Sequence, residues 1–182
     1  LQGALRDGVT NWMPTFVCES FGLDSSSAIL TGVLLPIFQI LCSQAAAWLF
    51  RKLSSHEAVT SGVIFAIGTV AAILVALVMS RSVLLTALFM AALAGCMHGV
   101  NFVLIGMVLR QFRRFGRVGL VSGVLNSCTY LGSALSTYGT ALLSLSLGWA
   151  GTTALWIGIA LAGALICFAI CKKWTAFRRE DV

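Results

Sequence analysis

The sequence predicts an all-α membrane protein, a bundle of six transmembrane helices. Two observations carry this prediction. Five long stretches with almost no charge follow one another at 28–50, 58–80, 82–109, 118–147 and 150–171. Each has at least the ~17–25 residues that a helix needs to cross hydrocarbon. A sixth candidate span covers 1–19, and with it the connections alternate between two sides of a membrane. Side one holds Arg51, Lys52, Arg110, Arg113, Arg114, Arg117, Lys172, Lys173, Arg178 and Arg179; side two holds Arg81 alone, and Arg6 lies inside the first helix. This bias over short loops assigns side one, and with it the C-terminus, to the cytoplasm.

Composition agrees. The 182 residues are 59% hydrophobic and 10% charged, well below the ~25% charge usual in soluble domains. The net charge of +6 does not indicate nucleic-acid binding, because the basic residues sit where membrane topology wants them and form no aromatic-basic patch. Cys18, Cys42, Cys96, Cys128, Cys167 and Cys171 are spread singly, with no CxxC pair. They read as small buried hydrophobes rather than as disulfides or a metal site.

The first helix opens on Leu1 and lacks a polar flank. The chain therefore reads as the C-terminal part of a longer protein whose N-terminal portion is missing. Pro14 and Pro36 fall within helices one and two, where neighbouring helices can satisfy the freed backbone. Asp24 and the serines after it can cap helix two. Ser54 and Glu57 have capping-box spacing for the start of helix three. The segment 110–117 is the longest cytoplasmic loop. Trp12, Trp149 and Trp174 lie near predicted span ends, and the last two fit an interfacial belt. No linker appears, so the chain reads as one helical domain with both ends cytoplasmic.

Polar residues inside the spans mark candidate sites, because lipid cannot satisfy them. In helix five, Gly119, Gly123, Asn126, Tyr130, Ser133, Thr137, Thr140 and Ser144 recur at alternating steps of four and three and share one face. That face is either a tight seam with another helix or the lining of a cavity. Asn126 and Tyr130, being larger, point to a cavity at its middle. In helix four, Gly95 and Gly99 form a GxxxG packing pair. His98 and Asn101 lie one turn apart on one face. His98 is a candidate functional group or a neutral ring bonded to a carbonyl. It lacks companions at metal-ligand spacing. In helix two, Gly32, Pro36, Gln39 and Ser43 share a face that reads as a bend with packing or cavity lining. Helix one carries Arg6 and Asp7, the only charges deep in a span. Arg6 pairs with Asp7 or with a carboxylate of the missing portion, binds an anionic substrate, or lies near the cytoplasmic surface. A guanidinium suits phosphate because it is always charged and holds two oxygens at once. No Ser/His/Asp set, P-loop or HExxH is present, so the chain does not read as an enzyme and no cofactor is implied.

The segment Leu5-Arg6-Asp7-Gly8-Val9-Thr10-Asn11-Trp12-Met13-Pro14-Thr15-Phe16 resembles the Leu-Arg-Tyr-Gly-x-x-Asp-Trp-x-Pro-Thr-Tyr segment of the organophosphate:phosphate antiporters, the family of the glycerol-3-phosphate and hexose-6-phosphate transporters. Residues 119–149, with Ser122-Gly123, Tyr130-Leu131-Gly132 and Gly148-Trp149, resemble their eleventh helix. The resemblance covers the whole chain and implies the C-terminal half of a twelve-helix major facilitator fold, with the substrate between the two halves. It implies a phosphate-binding role for Arg6 and a cavity tyrosine at Tyr130, and it sets His98 near a tenth-helix tyrosine of that family. Asp7 and Asn11 stand where the family has a tyrosine and an aspartate. Gly3 stands one turn before the arginine, at another of its tyrosines. Of the superfamily's acidic loop motif only Arg51 and Lys52 remain.

These readings combine into an expectation of alternating-access transport of a small anionic metabolite across an inner or plasma membrane. Arg6, His98, Asn101, Asn126 and Tyr130 would bind the substrate. The partners would be that metabolite, the bilayer and a missing N-terminal six-helix half, with no nucleic acid. The alternatives are a proton-coupled permease or drug exporter using Asp7 and His98, and a non-transporting module that binds partner helices through its GxxxG faces.

Overall fold

The computed structural model describes residues 1–53 and 56–179, and of Ser25, Ser26 and Ser27 the backbone alone. Among these residues the chain is helical with no strand. Its principal elements are α1 (Gln2–Phe21), α2 (Ser25–Thr31), α3 (Leu34–Lys52), α4 (Glu57–Val78), α5 (Val83–Phe102), α6 (Leu109–Gln111) and α7 (Val118–Arg179). Among the described residues, four helical runs are long and apolar enough to cross a membrane: Ala28–Lys52, Glu57–Val78, Val83–Gln111 and Val118–Arg178.

Local sequence explains the departures from simple rods. The second span is broken between α2 and α3. Pro36 has no N–H to give the Gly32 carbonyl, and the Leu35 amide takes that carbonyl instead at 3.0 Å. Pro36 thus lies in the first turn of α3, where proline is tolerated. Between α5 and α6 the chain forms a π-helical turn, Val103–Val108. The run α7 is bent at Gly148, whose φ of 66° and ψ of −172° belong to a region that only glycine enters readily. That bend divides α7 into two arms, 118–147 and 149–179.

At the start of α4 the cap is His56, whose ring accepts from the Val59 amide at 3.3 Å. Ser54, the other member of the expected capping box, lies outside the described residues. The Glu57 side chain turns away from the helix end to partners on other elements. The Asp24 carbonyl accepts from the Ala28 amide at 3.0 Å at the start of α2.

Neighbouring contacts fix the directions. Gly3 meets Thr129, Ala4 meets Gly132 and Gly8 meets Ser136, so α1 and the first arm of α7 run parallel. Met79, Phe65 and Gly62 meet Thr153, Gly163 and Phe168 in turn, so α4 and the second arm run antiparallel. Gly95 faces Phe38 and Cys42, and Gly99 faces Cys42 and Ala46, so α3 and α5 are parallel. A Cβ at Gly95 would stand 2.8 Å from the Cys42 sulfur and 2.8 Å from the Phe38 carbonyl oxygen. The GxxxG pair is therefore an internal seam that lets two backbones approach, which leaves it unavailable to a partner helix.

The core is centred on α1, α4 and α5, where Leu5, Val9, Met13, Phe16, Val75, Met90, Leu93 and Met97 are fully buried together with Trp156 from α7. Outward faces are apolar as well, with Ile40, Leu41 and Trp48 on α3 and Leu131, Leu135 and Leu145 on α7 exposed. Apolar residues on all sides suit helices surrounded by hydrocarbon. The cysteines are all unpaired, but only Cys96 is buried and Cys128 is exposed, so the expectation of uniformly buried cysteines is corrected.

Candidate functional site

Arg6 and Asp7 are adjacent on α1, about 100° apart around the helix axis. The length of the arginine side chain lets the two meet. Nε donates to Oδ1 of Asp7 and Nη2 donates to Oδ2 at 2.8 Å. The side chains are 15% and 23% exposed, so the pair is partly sheltered and still reachable. Ser133 on the first arm of α7 lies close enough to Asp7 to act on its charge. His98 on α5 is close enough to act electrostatically on both charges, and Tyr130 lies within electrostatic range of Arg6.

Depth follows from these neighbours. Ser133 is near the midpoint of the first arm of α7, and Gln2, one turn before Arg6, donates to the Met97 carbonyl at 3.1 Å in the middle of the fourth span. Arg6 therefore stands level with the middle of the bundle. The reading that set it near the cytoplasmic surface is corrected: the helix begins at mid-depth relative to its neighbours.

Of the residues singled out from sequence, the structure pairs Arg6 with Asp7 and sets His98, Tyr130 and Ser133 near that pair. Tyr130 is 66% exposed, so the cluster opens onto an uncovered face of the bundle. Asn101 and Asn126 are half-buried and make none of these contacts. Each lies about one turn nearer side one than His98 and Tyr130 respectively. The π-helical turn begins two residues after Asn101, a distortion often found at functional positions.

The polar stripe of the fifth span divides between two faces. Thr140 is buried, as is Ser136, and with Thr129 and Gly132 they form the seam against Gly3, Ala4 and Gly8 of α1. Tyr130 and Ser133 lie beside that seam, within electrostatic range of the Arg6–Asp7 pair. Seam and site are adjacent faces of one helix.

A second polar cluster, at side one, escaped the sequence reading. Glu57 is 2% exposed and accepts from Gln111 Nε2 at 2.8 Å and from Trp174 Nε1 at 2.9 Å. Arg178 Nη1 stands 3.4 Å from the same carboxylate. Trp174 is thus a donor to a buried carboxylate, which corrects its reading as an interfacial residue only. Beside it Phe112, Phe115, Trp174 and Phe177 pack ring to ring, with the Arg114 guanidinium 4.7 Å from the Phe115 centroid and 5.2 Å from that of Phe177. His56 Nδ1 accepts the cap bond, so its proton sits on Nε2, which donates to Thr175 Oγ1 at 2.8 Å. The signal in the sequence was the i, i+4 pair Trp174 and Arg178 on one helical face, but nothing local joined it to Glu57. At side two, Trp149 donates to Glu19 at 2.9 Å and packs edge-on against Phe16 at 4.8 Å.

The model of the Major Facilitator Superfamily matches residues 1–137, from α1 through the cluster around Tyr130 and Ser133 in the first arm of α7. No curated protein and no solved structure matches the chain. Apolar spans, a charged group at mid-depth and a family match over most of the sequence point the same way: the chain is a membrane protein and belongs to the Major Facilitator Superfamily, whose members are transporters rather than enzymes.

Proposed function

We propose that the chain forms the C-terminal six-helix half of a secondary transporter that moves a small anionic metabolite, of the organophosphate or phosphate type, by alternating access. A second six-helix half would cover the open face beside Tyr130, and the two would rock around a site near the midplane. The protein would lie in an inner or plasma membrane with side one cytoplasmic, as the basic residues of the 110–117 segment and the C-terminal helix favour.

The observation that carries this reading is Arg6 at mid-depth. A guanidinium within hydrocarbon costs ~2.5–3.5 kcal/mol or more unless it is paired or hydrated, and one that is half-sheltered on an open face has donors left for a ligand. Asp7, Ser133, His98 and Tyr130 form its surroundings, with Asn101 and Asn126 one turn toward the cytoplasm. The test is uptake of labelled phosphate by vesicles containing the full-length transporter. Arg6→Lys keeps the charge and removes the two-oxygen fork. It lowers apparent affinity ~10–100-fold if Arg6 holds the anion, the worth of one charge-assisted hydrogen bond. Unchanged uptake would remove Arg6 from the site.

The close Arg6–Asp7 pair also favours a second reading, a proton-coupled permease in which Arg6 only balances Asp7. In that case Arg6→Gln combined with Asp7→Asn restores activity that Arg6→Gln alone removes.

A further inference from the structure

Asp7 does more than neutralise a costly charge. A guanidinium offers two edges to a two-oxygen acceptor, Nε with one Nη and the two Nη together. Asp7 fills the first edge, through Nε and Nη2. A substrate anion reaching Arg6 is left with the Nη1–Nη2 edge, and there its oxygens stand beside the Asp7 carboxylate. A carboxylate has about four lone-pair positions. Two accept from Arg6, and the side chain is 23% exposed. Asp7 therefore retains accepting capacity toward the open face. It has no proton to give while it is ionised, so it attracts a ligand group that carries one and repels an oxygen that does not.

Resting on the reading of Arg6 as the anion contact, we propose that Asp7 is the specificity-determining residue of this site, and that the site selects an anion bearing a hydrogen-bond donor on or beside its charged group, such as a singly protonated phosphate or phosphate ester, over a fully ionised oxyanion. Arg6 supplies the attraction, and Asp7 accepts the donor. The other polar and titratable groups facing the pair are Ser133 and Tyr130 from α7 and His98 from α5. None of them repels a bare anion while neutral, so the discrimination falls to Asp7.

The experiment compares two oxyanions of similar size in the full-length transporter at one pH, near 6. Inorganic phosphate is there mainly a monoanion carrying two P–OH donors, and sulfate carries none. Affinities are read from protection of a Ser133→Cys variant against a thiol reagent, with and without Asp7→Asn. Asp7→Asn keeps the shape, removes the charge and offers a donor of its own. The wild-type site binds phosphate at least ~10-fold more tightly than sulfate, the lower end of what one hydrogen bond to a charged group provides. Asp7→Asn raises sulfate affinity and brings the ratio toward one. If Asp7→Asn weakens both anions equally, Asp7 only positions Arg6 and the proposal fails while the anion site stands. If the ratio is unchanged by Asp7→Asn, discrimination lies elsewhere and the proposal likewise fails. If neither anion protects in any variant, or if both still protect after Arg6→Gln, the anion-site reading itself fails.

Discussion

Replacing Glu57 by alanine perturbs the side-one end of the bundle and leaves the mid-depth site intact. The carboxylate is 2% exposed and joins α4 to Gln111 of α6 and to Trp174 and Arg178 of α7. The two short bonds, at 2.8 and 2.9 Å, leave half-buried donors without this acceptor when Glu57 is removed. Each such loss costs ~1.5–3 kcal/mol when the acceptor is charged. Arg178 is 29% exposed and 3.4 Å away, so water replaces much of its share. The expected loss is ~3–5 kcal/mol, that of breaking a buried charged cluster from one side. At ~2–4 °C per kcal/mol for a half that melts as one unit of this size, the melting temperature falls by ~6–20 °C. The assay is a thermal melt of the purified full-length transporter in detergent, with Glu57→Gln beside Glu57→Ala. The glutamine keeps one acceptor oxygen and costs less than alanine. A fall of under ~2 °C for Glu57→Ala would show that water already satisfies the donors, and the reasoning from burial would be refuted.

Three further outcomes follow from the packing and the charge pattern. Gly8→Val places a branched side chain against Ser136, pushes α1 from the first arm of α7, and lowers stability by ~1–3 kcal/mol in the same melt. Gly148→Ala forces a Cβ into the φ 66°, ψ −172° conformation and costs ~1–3 kcal/mol, read as loss of folded protein in the membrane; an unaltered yield and melt would mean that the bend relaxes. An impermeant thiol reagent applied to intact cells labels Ser146→Cys and leaves Arg117→Cys unlabelled above the background of native cysteines, and the reverse pattern would invert the proposed orientation.

Much of the architecture is legible in the sequence, because apolar length and the basic bias are strong, additive signals. The helix class and the GxxxG seam follow from residue type and spacing alone. What the sequence does not show is which of two adjacent faces meets which neighbour. Thr129, Gly132, Ser136 and Thr140 lie beside Tyr130 and Ser133, and both sets are small or polar. A 3.6-residue period cannot decide which set packs on α1; the structure gives the first set to the seam and the second to the Arg6–Asp7 pair. The break at Gly32–Val33 follows from the proline four residues after Gly32, yet the apolar run hides it. The Glu57 cluster joins residues more than fifty positions apart, and no local pattern predicts such a meeting. His56 takes the cap position of α4 through its ring nitrogen, a role that nothing in the local sequence marked.

The central claim is that the Arg6 cluster lines a water-accessible anion site in the middle of the membrane. Ser133→Cys in the full-length transporter tests it most directly, because Ser133 lies at mid-depth and near Asp7. The account predicts that a hydrophilic thiol reagent modifies this cysteine, that millimolar phosphate slows the modification, and that Arg6→Gln abolishes the protection while leaving the labelling. A cysteine at 133 that no hydrophilic reagent reaches, or one whose labelling phosphate never alters, would contradict it.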